Sequence, residues 1–142
     1  MENKLIEIKA AITALMTALG IFLGWKGIMI VVWLAAMILD YVSGTAAACK
    51  DGEWSSAIAR AGLWHKGGMI LVVTVSAIAD GVMVIICANM PDIGIAWPGL
   101  VFPTVLAWYI ITEFGSVLEN AVKMGAAVPD WLTKLLKVSF KE

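Results

Sequence analysis

Charge is scarce in this sequence: Asp, Glu, Lys and Arg make up 15% of its residues, against roughly a quarter in a soluble domain. So few ions cannot clothe a water-facing surface, and a soluble globular core is the wrong picture. No basic stripe lies on a polar domain, so no nucleic-acid partner is expected. Two cysteines, Cys49 and Cys87, and one histidine, His65, are too few for a Cys/His zinc cluster or a disulfide framework of several bridges. No metal and no cofactor is expected. Ser55, Ser56 and His65 share one segment, yet no GxSxG elbow or paired acid accompanies them, which argues against an enzyme.

Apolar residues fill the space that charge leaves, 61% of the chain with a mean hydropathy of +0.91. A helix needs roughly 20 apolar residues to cross about 30 Å of hydrocarbon. Candidate spans lie near 10–25, 27–49, 67–88 and 98–118. The first is short and carries Thr13, Thr17, Gly20 and Gly24. Ala18-Leu19-Gly20 is a poor cleavage site and the apolar run continues past it, so an uncleaved span is the better reading. Pro103, inside the fourth run, is expected to kink it. The expected class is an all-α integral membrane protein, a single membrane domain over 1–142 with three to four transmembrane helices.

Lys and Arg in short loops resist translocation and so set orientation. With four spans, Lys4, Lys9, Lys50, Arg60, Lys66, Lys123, Lys134, Lys137 and Lys141 fall on one side and Lys26 alone on the other. Both termini are then expected in the cytoplasm. Residues 50–66 form a cytoplasmic loop in this reading, with a turn at Asp51-Gly52, Ser55 or Ser56 placed to cap a short helix, and Trp54 and Trp64 at headgroup level; a solvated loop and an interfacial helix fit the pattern equally. Glu113 and Glu119 sit near the cytoplasmic end of the fourth span beside Asn120, where Glu113 is expected to snorkel. Pro129 and Asp130 start a tail, 129–142, that places Trp131, Leu132, Leu135 and Leu136 on one helical face and Lys134, Lys137 and Lys141 on the other. Such a basic amphipathic helix suits an anionic membrane surface; a solvated tail is the alternative.

Two acids interrupt the apolar runs. WKGIMIVVWLAAMILD ends on Asp40 and HKGGMILVVTVSAIAD on Asp80, with Lys, Gly, Met, Ile, Val, Ile and Asp in matching places, 26/66 to 40/80. Each Asp follows its Lys by fourteen residues, roughly 21 Å of helix. The spans run in opposite directions, so this is an inverted repeat, arising either by duplication or by chance between apolar segments. An Asp near mid-membrane costs on the order of 2.5–3.5 kcal/mol. Asp40 has Ala36, Ser43, Gly44 and Ala47 on its helical face, small enough for another helix to approach; Asp80 has Ser76, Met83, Val84 and Cys87. Asp40, Ser43, Gly44, Ala47, Ser76 and Asp80 are therefore candidate oligomerisation or pore-lining residues, the alternative being hydrogen bonds inside the helix packing. Gly20-Ile-Phe-Leu-Gly24 is a GxxxG, so Gly20 and Gly24 are candidates for helix association.

Leu39-Asp40-Tyr41-Val42-Ser43-Gly44, the small residues to Ala48, Asp51-Gly52-Glu53-Trp54-Ser55-Ser56, Gly62, Lys66 and Asp80 together resemble the toxin-secretion/phage-lysis holin family. The likeness covers about residues 26–90. It implies a bacterial cytoplasmic-membrane protein whose partners are the lipid bilayer and further copies of itself. Such a homo-oligomer opens lesions for an endolysin or an exported toxin, without implied direct contact and without enzymatic activity. A small inverted-repeat ion channel or transporter explains the repeat almost as well, and a regulatory antiholin-like subunit stays open.

Overall fold

Five helices follow one another among the described residues, 2–90 and 94–136, of the computed structural model: α1 Glu2–Leu23, α2 Trp25–Lys50, α3 Ser56–Asn89, α4 Val101–Lys123 and α5 Asp130–Leu135. No strand occurs among them. Three of these helices, α2, α3 and α4, are long and apolar enough to cross a membrane. The all-α membrane architecture expected from hydropathy is therefore present.

Local chemistry sets the helix ends. Gly24 separates α1 from α2 with φ +58°, a backbone that side-chain-bearing residues seldom adopt. It is a turn and not a helical position, so Gly20 and Gly24 do not form the one face that a GxxxG requires, and no atom of a neighbouring segment lies within 4 Å of a Cβ built at either. At the far end of α2 the Asp51-Gly52 turn forms, with the Gly52 and Glu53 amides closing on Cys49 and Ala48 carbonyls at 3.3 and 3.0 Å, a Schellman closure. Ser55 then caps α3 by accepting from the Ile58 amide at 3.2 Å. That helix runs unbroken from Ser56 to Asn89. Residues 56–66 are thus the first turns of α3, continuous with the span, because the capping Ser is followed by no breaker.

Pro103 also differs from expectation. It occupies the third position of α4, where a helix has no use for an amide hydrogen, so it starts the helix instead of kinking it. The first span-four residues, 98–100, precede the helix.

Polar contacts fix the helix directions. Lys66, early in α3, meets Asp40, late in α2, and Glu113, in the second half of α4; Asp80, late in α3, meets the start of α4. Hence α2 and α4 run parallel and α3 opposes both. Helix α4 packs along α2 and also on α3, while α2 and α3 touch only briefly. It is the wedge that joins the two halves of the repeat. Trp33, Met37, Met69, Val73 and Leu106 form the buried core, and the Trp33 ring stacks on Tyr109 of α4 at 6.2 Å between centroids. Outside lie Ile38, Leu39, Ile70, Leu71, Val75, Ile78, Ile85 and Trp108, all exposed, an apolar belt suited to lipid. Lipid tails are as apolar as these side chains, so packing and polar pairs, more than water exclusion, must hold the helices together.

Candidate functional site

Asp40 and Asp80 each anchor one end of α4. At the outer end, by the orientation expected above, Asp80 is 6% exposed and accepts three hydrogen bonds. Trp97 Nε1 donates to Oδ1 at 2.8 Å, the Val101 amide to Oδ1 at 3.0 Å and the Phe102 amide to Oδ2 at 2.9 Å. Val101 and Phe102 are the first two residues of α4, whose own cap position is Leu100 and provides no side-chain bond. A carboxylate from α3 therefore does the work of an N-cap, satisfying orphan amides and facing the positive end of the helix dipole.

Lys26 completes this end. Gly99 precedes the cap position Leu100, so its carbonyl stands outside the helical ladder and has no donor there. Lys26 Nζ fills the gap at 3.0 Å. Gly99 lies at φ +70° between the two charges: a Cβ there would stand 2.7 Å from Lys26 Nζ and 3.6 Å from Asp80 Oδ2. Only glycine lets ammonium, carboxylate and backbone converge.

At the other end Lys66 bridges two acids, Asp40 Oδ2 at 2.9 Å and Glu113 Oε2 at 2.6 Å. Asn120 Nδ2 donates to Asp40 Oδ1 at 3.1 Å and to Ser43 Oγ at 3.0 Å. Glu113 is 3% exposed; it does not snorkel, because Lys66 reaches it inside the bundle. A Lys from α3 thus joins acids from α2 and α4, and the Asn of α4 closes the network over Asp40.

These pairings cross the repeat. Lys66 of the second half binds Asp40 of the first, while Lys26 of the first half and Asp80 of the second flank the same glycine. Matching residues of two antiparallel helices are thereby brought together at opposite ends, and α4 supplies the third partner at each. A cleft of about 430 Å³ opens beside the Lys66 cluster, lined by Asp40, Gly44, Trp54, His65, Lys66 and Asn120 among others. Asp40 keeps 20% of its side chain exposed, beside that cleft, whereas Asp80 is buried.

The remaining sequence candidates separate. Ser43 and Ala47 are buried and Gly44 sits against Asn120, where an added Cβ would meet the amide nitrogen at 3.4 Å. The small-residue face of α2 is thus covered by α4 of the same chain. Ser76 is buried and its hydroxyl donates to its own helix, to the Val73 carbonyl at 2.7 Å. Trp131 and Lys134 are exposed on α5; Lys137 and Lys141 lie outside the described residues. Among the described residues no three His, Cys, Asp or Glu side chains are placed to hold a metal ion.

Lys26, Lys66 and Glu113 stand out in the sequence without their partners, and nothing there marks Trp97 or Gly99. A signal was available for α4. Glu113 and Asn120 are seven residues apart, two helical turns on one face, and an intramembrane Glu asks for a cation as insistently as Asp40 does.

Comparison with known proteins supplies the family. The model of the bacteriophage holin family matches residues 17–140, which takes in both anchoring acids and all three membrane-length helices. The chain belongs to the bacteriophage holin family. Relatives match over nearly the whole of this chain. An uncharacterized protein of Clostridium perfringens (strain 13 / Type A) is 33% identical, over 96% of this chain and 93% of its own. An uncharacterized 14.9 kDa protein in the nagH 3' region of Clostridium perfringens is 32% identical over 96% of each. An uncharacterized protein of Halalkalibacterium halodurans is 27% identical, over 94% of this chain and 93% of its own. No solved structure matches. Holin-family membership makes this a membrane protein and not an enzyme.

Proposed function

We propose that this chain is a holin in the full sense. It accumulates in the bacterial cytoplasmic membrane as a closed monomer, then oligomerises into lesions through which an endolysin or a toxin leaves. The observation that carries the reading is the pairing of the intramembrane charges inside one bundle, completed at both ends by α4. Asp40, Lys66, Glu113 and Asp80 all have partners within one copy, so a single copy can rest in lipid with no charge left bare. Assembly must open or share those pairings, which makes Asp40, Asp80 and the neighbouring Ser43, Gly44, Ala47 and Ser76 the groups that meet another subunit or the lumen. Inducible expression in a bacterium with and without a cytoplasmic cell-wall hydrolase tests it. Abrupt loss of membrane potential is expected in both strains and lysis only where the hydrolase is present; steady leakage from the start of induction would favour a constitutive channel.

In this reading the end of the bundle that carries Lys50, Arg60, Lys66 and Lys123 faces the cytoplasm, and α1 crosses so that both termini lie there too. The free cysteines report it. Cys49 closes α2 and Cys87 ends α3, at opposite ends of antiparallel helices. An impermeant thiol reagent applied to intact cells is expected to modify Cys87 and spare Cys49. Modification of Cys49 alone would reverse the orientation.

A further inference from the structure

We infer that α4 is the exchangeable part of this holin, and that copies join by seating the α4 of one chain in the α2/α3 groove of the next. The inference rests on the holin reading and specifies the contact by which copies assemble. Three observations carry it. First, α4 holds the chain together: α2 and α3 touch only briefly and both pack on α4. Second, the seat is specific at both ends, with Asp80 binding the first amides of α4 and Lys66, Asp40 and Ser43 binding Glu113 and Asn120. Third, an opened copy left alone would present these groups to hydrocarbon, where an unpaired charge or amide is costly. An α4 from a neighbour satisfies every one of them.

Exchange keeps the pairings identical and changes only which chain supplies them, which is why swapping an element is a low-cost route to an oligomer. Reach is not limiting. Seven residues separate Asn89 from Trp97, extending to at most about 25 Å, whereas packed helices lie roughly 8–10 Å apart. Such a head-to-tail contact leaves each copy with one seat to fill and one α4 to give, so copies add in series until a ring closes. The barrier is the moment when α4 has left one seat and not reached the next. A slow step of this kind, followed by concentration-dependent growth, delays lesions until copies are crowded.

Two copies with different tags test it, each with Cys49 and Cys87 replaced by Ala, one carrying Gly44→Cys and the other Asn120→Cys. These positions touch within one chain, so with one cysteine per copy a 44–120 link forms only when α4 sits in another copy. A short thiol cross-linker is applied in cells that also hold a cell-wall hydrolase, before and after membrane potential collapses. The doubly tagged 44–120 dimer is expected to rise by about tenfold or more across the collapse, as a swapped contact requires. Lysis without that dimer, or with only 44–44 and 120–120 links, would overturn the exchange while leaving the holin reading intact. The dimer without lysis would keep the exchange and overturn the holin reading, and absence of both would overturn both. One chain carrying both cysteines is expected to link within itself before collapse, showing that the substitutions leave α4 seated; failure to link would overturn the seat.

Discussion

Replacement of Asp80 by Leu is expected to release the start of α4 and bring lysis forward. The carboxylate accepts from the Trp97 indole and from the Val101 and Phe102 amides, and Leu accepts from none. Three donors buried in an apolar environment lose their partner, each at about 1–3 kcal/mol, so a loss on the order of 3–6 kcal/mol is expected after the helix end relaxes. Lys26 is left beside Gly99 with no anion facing it. Asn should fall between, since its oxygen accepts while its amide group confronts a donor. The direct measurement is hydrogen exchange of the Val101 and Phe102 amides in micelles, expected to rise at least about a hundredfold for Leu because each 1.36 kcal/mol is a factor of ten. Unchanged exchange would show that Asp80 is not the cap. Lysis that came late or never, with exchange raised, would place the acid's work in the lesion and not in restraint of the monomer.

The sequence showed the membrane helices because hydrophobicity is a sum over many residues and survives small errors of boundary. Stretches 27–49 and 67–88 fall inside α2 and α3. Helix ends depend on single residues, and there structure and expectation part. Pro103 looked like a kink because its place in the first turn of α4 was not visible from an apolar run that began at Pro98. For residues 56–66 the capping Ser suggests a short helix as readily as a loop, but local pattern does not show that this helix runs on without a break into the span. The two acids stood out as exceptions to composition, and their partners did not, because pairing is a matter of which helices touch. Helix α4 carries no part of the repeat, yet it supplies Glu113, Asn120 and the amides that complete both ends. The inverted repeat was legible as a pattern; that each Lys faces the Asp of the opposite half follows once α2 and α3 are antiparallel, because fourteen residues separate Lys from Asp in both.

Among the charged groups, Lys66 should be the least replaceable. It sits between two acids, bound to Asp40 at 2.9 Å and to Glu113 at 2.6 Å, so Lys66→Met leaves both carboxylates facing each other in a bundle with little water. Removing one partner of a buried ion pair costs about 3–5 kcal/mol, most of it from the charge left behind. Asp40→Asn should be far milder, because Lys66 retains Glu113 and the Asn oxygen still accepts from Asn120. Glu113→Gln leaves Lys66 with Asp40 and belongs in the same mild class. The combination Lys66→Met, Asp40→Asn and Glu113→Gln removes all three charges together and is expected to recover most of what the single Lys66→Met change loses, since neutral replacements of a whole buried network are often tolerated. Pulse-chase measurement of membrane-inserted protein, with thermal aggregation in detergent beside it, ranks the four variants. The expected order of stability places Asp40→Asn and Glu113→Gln near the original chain, the triple variant close behind, and Lys66→Met well below. A Lys66→Met chain that accumulates and melts like the original would show that the two acids never depended on it, and the cluster would then hold α4 through Asn120 and Ser43 alone.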